Sequence, residues 1–134
     1  MFNIIDGRAH SALLRSFPVA AGEVINEGEW VVFNNDGTVS KQVGAFDGAK
    51  RAFIVIGGNS KRFDSKTLGV VTLCLGLLHG ETDVIQPVTI NAGDRLTLLD
   101  GKLTKAAAGA DSNLIVAECA KPNVNGQIEF VSGL

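Results

Sequence analysis

The sequence predicts an all-β domain, a small β-barrel or β-sandwich built around two similar hairpin units, and three observations carry that expectation. Residues 90–105 (INAGDRLTLLDGKLTK) read as one complete β-hairpin. Residues 25–41 (INEGEWVVFNNDGTVSK) are an imperfect copy of it. No segment carries the 3.6-residue apolar period of an amphipathic helix. Aligned with a single gap, the two stretches share Ile-Asn, a Gly at the fourth position with an acid after it, an apolar alternation, Asp-Gly, and then an apolar residue, Ser or Thr, and Lys.

Each shared feature has a mechanical reading. Asn-x-Gly-acid turns the chain into a strand, because Gly and Asn tolerate positive φ, and Glu29 and Asp94 can accept hydrogen bonds from backbone amides of the turn. Asp36-Gly37 and Asp100-Gly101 turn the chain back; Asp-Gly between apolar alternations is the signature of a type I′ hairpin turn. The likeness continues with residues 49–55 (AKRAFIV) against residues 110–116 (ADSNLIV), so the unit reads as a hairpin, a loop and a third strand.

In chain order, Phe2, Ile4 and Ile5 lead to Asp6-Gly7 as a short first strand, or residues 1–10 form an arm that orders only against a partner. Residues 11–19 (SALLRSFPV) are extended, with Pro18 at a strand end or sheet edge because it lacks an amide donor. Residues 52–56 (AFIVI) form a continuous apolar run of strand length, expected to be buried on both faces. Residues 57–64 (GGNSKRFD) are a loop, and the spacing of their glycines and Lys61 does not meet that of a phosphate-binding loop. Residues 68–78 (LGVVTLCLGLL) read as a central strand bent at Gly69 or Gly76 and closed by His79-Gly80. Residues 105–112 (KAAAGADS) are a loop with at most one helical turn, residues 114–117 the next strand, residues 122–126 (PNVNG) a turn, and residues 127–131 (QIEFV) the last strand.

The 134 residues make one domain, large enough for a core without disulfide staples. Charged residues are 19% of the chain, below the ~25% usual for soluble domains, which leaves more apolar surface than a monomer readily hides and points to partner surfaces. A net charge of −2 provides no electrostatic footprint for direct nucleic-acid binding. The longest apolar run falls short of the ~20 residues of a spanning helix, and the first residues lack the pattern of a secretory signal, so no membrane anchor is expected.

Chemistry finds little purchase. Cys74 and Cys119 sit among apolar residues and read as small buried hydrophobes. His10 and His79 belong to no catalytic motif, and the closely spaced ligand pairs of a structural metal site are missing. Glu29 and Asp94, being repeat-equivalent, are better explained by the turn they share than as an acid–base pair. The expectation is therefore no enzyme, no cofactor and no metal.

The patterns AGEVINEGEWVVFNNDGTVSK and INAGDRLTLLDGKLTKAAAGADSNLIVAECAKPNVNGQIEF resemble the head-decoration, or capsid cement, proteins of tailed bacteriophages, which carry an A-G-acid entry, a D-G hairpin, an Ala/Gly-rich loop, an apolar strand and a closing G-x-[IV]-x-[FV] strand, here Gly126 to Phe130. The resemblance covers half to two thirds of the chain. It implies a virion protein made in the host cytoplasm, bound to the capsid exterior, bridging major capsid protein subunits, and associating as trimers or dimers. The competing readings are another virion component, such as a tail or head-completion protein, and a ligand-binding or enzymatic β-barrel.

Strand alternation sharpens the interface expectation. Leu96 and Leu98 should face the core, as should their counterparts Val31 and Phe33. Trp30 and Val32 then replace Arg95 and Thr97 on the opposite face, forming an apolar patch for a neighbouring subunit or the shell, unless residues 2–5 (Phe2, Ile4 and Ile5 among them) fold over it.

Overall fold

The computed structural model describes residues 2–4, 14–57 and 69–132. Its strands are β1 (Asn3–Ile4), β2 (Leu14–Pro18), β3 (Trp30–Phe33), β4 (Val39–Lys41), β5 (Phe53–Gly57), β6 (Val70–Cys74), β7 (Leu78–Thr82), β8 (Arg95–Leu99), β9 (Lys102–Lys105), β10 (Ala117–Val124) and β11 (Gln127–Ser132). The only helical element among the described residues is a 3₁₀ turn at Ser112–Leu114. The protein is all-β, as the alternation predicts: two antiparallel sheets packed as a sandwich.

The duplication extends further than the sequence shows. The first sheet has the order β2-β6-β5-β3-β4, and the second has β7-β11-β10-β8-β9 with β1 added beside β7. Strand for strand these are one arrangement used twice, with β2–β6 as the first unit and β7–β11 as the second. Hydrogen bonds repeat with it. Gly28 N–H donates to Val55 O (2.7 Å) and Val55 N–H to Glu29 O (2.9 Å); in the second unit Gly93 N–H donates to Cys119 O (2.8 Å) and Cys119 N–H to Asp94 O (2.9 Å). Single parallel bridges, Val19 to Val39 and Ile85 to Leu103, tie the chain beyond the first strand of each unit to that unit's far edge. Each sheet is thus strongly curled without becoming a closed barrel.

That register corrects the third strand of the second unit. Residues 114–117 are not the strand; Leu114 belongs to the 3₁₀ turn, and Ala117, Glu118 and Cys119 are the counterparts of Phe53, Ile54 and Val55. The long pairing of Cys119 with the Gly93–Asp94 turn sets the register, and local resemblance cannot reveal it. Residues 68–78 are likewise two strands, not one: the chain breaks after Cys74, Gly76 lies in the break, and β7 runs through His79-Gly80 to Thr82 in the other sheet. The turn expected over residues 122–126 shrinks to Asn125-Gly126, whose φ values of 54° and 79° make a type I′ turn, while β10 continues through Pro122 with register shifts. Pro18 ends β2, an edge strand, as expected. Residues 57–64 lie, but for Gly57, outside the described residues.

The two Asp-Gly turns differ. Asp100 (φ 52°) and Gly101 (φ 75°) form the expected type I′ turn between Leu99 and Lys102. At the first hairpin only Gly37 (φ 86°) is left-handed; Gly37 N–H donates to Asn34 O, and Asn34 N–H to Thr38 O (2.8 Å), which is a three-residue loop with a glycine bulge. The extra residue, Asn35, forces that form. Asp36 then serves differently, accepting from the backbone N–H (3.0 Å) and hydroxyl (2.6 Å) of Thr38.

Two apolar clusters hold the sandwich. Val19, Ile25, Val31, Val39, Val55, Val71 and Leu73 fill the curl of the first sheet. The larger cluster contains the matching interior of the second unit, including Leu96, Leu98, Leu103, Ile128 and Phe130, together with Trp30, Ile54 and Cys74 from the other face of the first sheet. The first sheet is therefore covered on both faces, which is why its strands read WVVF, FIVIG and VVTLC while the second unit alternates as RLTLL and KLTK.

Candidate contact surface

The patch expected around Trp30 is not on the surface. Val31 and Phe33 do face the first cluster, and Leu96 and Leu98 the second, so the alternation is right. Trp30, however, is only 3% exposed and Val32 is half-buried, because their face of the first sheet packs against the second unit. Trp30 N–H donates to Gly101 O (3.0 Å), so the second hairpin turn docks beside it. Phe2 is buried in the same cluster, with its ring 6.4 Å from that of Phe130, and β1 pairs with β7 through Asn3 and Ile4. Ile5 lies outside the described residues. Trp30, Val32 and Phe2 are thus parts of the fold's interior and not a contact surface, and Phe2 and β1 are docked in the chain, not a free arm.

Residues 42–46 and the β8–β9 hairpin form the junction between units. Gln42, buried to 5% exposure, accepts from Gly101 N–H (2.8 Å) through Oε1 and donates through Nε2 to Val43 O and Gly44 O, so its amide is fully satisfied. Gly44 N–H donates to the Asp100 carboxylate (2.7 Å), Asp100 N–H returns to Gly44 O (3.0 Å), and Phe46 N–H donates to Leu98 O (3.1 Å). Asp100 and Gly101 are therefore docking residues as well as turn residues. Asp36 and Gly37 are exposed at a free turn.

Exposed apolar side chains lie near this junction among charged ones. Val43 is 80% exposed, Val24 60%, Val88 40% and Leu99 38%. Their elements are linked: Gln86 Nε2 donates to Leu99 O (2.8 Å), Ala45 bridges Leu99, and the Glu23 carboxylate accepts from Lys41 N–H (3.1 Å). Sequence reasoning missed these residues, since Val24, Val43 and Val88 lie in segments without alternation.

The repeated acids act as turn clamps. Glu29 accepts from Asn26 N–H (2.7 Å) and pairs with Lys41 (3.2 Å); Asp94 accepts from Asn91 N–H (2.8 Å) and pairs with Lys105 (3.7 Å). This explains why both copies keep an acid after Gly and a Lys at the hairpin's end. Cys74 and Cys119 are free and buried; burial, with Asp94 nearby, pushes the Cys119 thiol above its ordinary value.

On the outer face of the second sheet Glu129 binds Lys121 (3.1 Å) and His79 (3.0 Å). The hydrogen bond from Lys121, with that from His79, holds the Glu129 carboxyl below its ordinary range. A carboxylate depressed in the folded state stabilises the fold above its unfolded pKa, and that contribution disappears as pH falls through the folded value. Carboxyl titration followed by NMR should place Glu129 below ordinary glutamates, and Lys121→Ala should move it upward. His10 is outside the described residues.

A cleft of about 270 Å³ lies where the units meet, lined among others by Trp30, Phe46, Ile54, Cys74, Asn113 and Val116. It falls just below the usual ~300–1,000 Å³ of small-molecule sites. Neither a scan against protein-family models nor a search of curated proteins finds a match to this chain.

Proposed function

We propose that this chain is a structural protein of a phage particle, one that binds the outside of the capsid shell and stabilises it by bridging major capsid protein subunits. The observation that carries this reading is the exposure of the apolar side chains Val24, Val43, Val88 and Leu99 near the junction of the units. Covering Val43, which is 80% exposed, contributes most of the ~1.5–3 kcal/mol of burying an apolar side chain, and the less exposed Val24, Val88 and Leu99 add proportionally less. The resemblance of the hairpin, the Ala/Gly-rich loop and the closing strand to capsid cement proteins supports the choice of partner. The duplication suits a bridging part, since two modules joined by a hydrogen-bonded junction carry load from one contact to the next.

Purified protein added to expanded empty shells should raise their resistance to heat, because a ligand that binds only the assembled state stabilises it by mass action. Val43→Asp should weaken binding about tenfold, equivalent to ~1.4 kcal/mol, while leaving the fold intact. Shells whose heat resistance is unchanged at saturating protein would exclude the function.

A further inference from the structure

Because the units share one strand arrangement, every surface of one has a counterpart on the other. Strand pairing makes Phe17, Phe33, Phe53 and Leu75 of the first unit equivalent to Thr82, Leu98, Ala117 and Ser132 of the second. In the second unit all four are buried, at 1%, 1%, 3% and 5% exposure. The first unit supplies cover: residues 42–46 lie along the β8–β9 hairpin, and Trp30, Ile54 and Cys74 join the same cluster. In the first unit the equivalent four are only partly buried. Phe33 makes edge-to-face contacts with Phe17 (4.8 Å between centroids) and Phe53 (5.6 Å), and Arg51 lies 4.8 Å over the Phe53 ring.

The junction runs in one direction. The counterpart of residues 42–46 in the second unit is the alanine-rich segment 106–110, and the counterpart of the docked β8–β9 turn is the turn after Phe33. These do not meet among the described residues, where a side chain added at Gly37 or Gly109 would have no neighbour within 4 Å. One half of a heterologous contact is therefore used inside the molecule, and its complement, residues 107–109 and the turn residues 35–37, is exposed.

We propose that this complement joins two copies head to tail, with residues 106–110 and the outer face of β8 and β10 of one molecule seated on the Phe17–Phe33–Phe53 end of the next. Charge fits the pairing. Lys50 and Arg51 are exposed beside the aromatic rings, where they also line the cleft between the units; they donate to Phe33 O (2.8 Å) and Leu75 O (3.5 Å), and neither has a carboxylate partner among the described residues. The face that would meet them carries exposed Glu118 at the position of Ile54 and exposed Arg95 at the position of Trp30. A carboxylate against these cations, and a guanidinium against aromatic rings, are favourable contacts. The in-chain junction combines apolar packing with the Gln42 and Asp100 hydrogen bonds, and the one between copies is polar and reversible. A heterologous contact closes a ring where its rotation allows and otherwise extends as an open chain.

Sedimentation velocity on the full chain should show mass rising with concentration, less so at high salt. Arg51→Glu and Glu118→Arg should each weaken association at least about tenfold. The variant carrying both changes should recover it, since each altered charge then meets its opposite on the neighbour. Mixing Ala108→Cys protein with Asn35→Cys protein under oxidising conditions should give a disulfide-linked pair that neither gives alone. A monomer at every concentration, or charge reversals without effect, or a combined variant no better than the single ones overturns the proposal. A monomer that still protects shells from heat removes this junction and leaves the proposed function standing; association without any effect on shells does the reverse.

Discussion

Replacing Trp30 by Ala should destabilise the protein by about 3–5 kcal/mol, enough to remove a large part of the ~5–15 kcal/mol that holds a typical domain together. The size follows from placement: Trp30 is 3% exposed and sits where the first sheet meets the second unit, so its loss leaves a cavity at the junction and not a bare spot on the surface. Trp30→Phe should cost much less. The buried indole N–H has no hydrogen-bond partner among the described residues, so removing it gives up no bond there, and the phenyl ring keeps most of the packed volume. Urea unfolding of the three proteins measures this directly. A Trp30→Ala midpoint close to the parent's would mean that the junction contributes little and that the units hold themselves together independently.

The turns were legible in the sequence because they are decided within a few residues. Gly28 and Gly93 need left-handed backbone, the acids behind them close the turn on Asn26 and Asn91, and both facts are local. Alternation likewise assigned Val31, Leu96 and Leu98 to the interior. What alternation does not say is whether the opposite face meets water. That depends on where the second sheet packs, and the available sign was compositional: β3, β5 and β6 are apolar at both parities, while β8 and β9 are not. The sign was read correctly for residues 52–56 and missed for WVVF, where the comparison with Arg95 and Thr97 suggested an outer face. Length carried a second missed signal. Residues 68–78 exceed the usual strand of ~5–6 residues, and the chain divides them near Gly76 between two sheets. The register of β10 and the exposed Val43 depend on long-range pairing across the junction, for which no local pattern exists.

The duplication also permits a prediction in which one unit serves as the control for the other. Gly28 and Gly93 occupy the same place in the same turn, with φ of 89° and 87°, so placing Ala at either imposes the same backbone penalty of roughly 1–2 kcal/mol. Their surroundings differ. A Cβ at Gly93 meets nothing within 4 Å among the described residues, whereas one at Gly28 comes within 2.8 Å of Val84 Cγ2 and 3.3 Å of Phe2 Cβ. Val84 follows β7 and Phe2 precedes β1, so the first unit's turn is wedged against the second unit and the docked N-terminal residues. Forcing a methyl into such a contact costs ~1–3 kcal/mol more. Gly28→Ala should therefore lose about 2–5 kcal/mol and Gly93→Ala about 1–2 kcal/mol, and subtracting one from the other cancels the conformational penalty and leaves the packing cost. Equal losses in the two variants, measured by urea unfolding, would show that Phe2 and Val84 yield freely and that the seat of the N-terminal strand against this turn is loose.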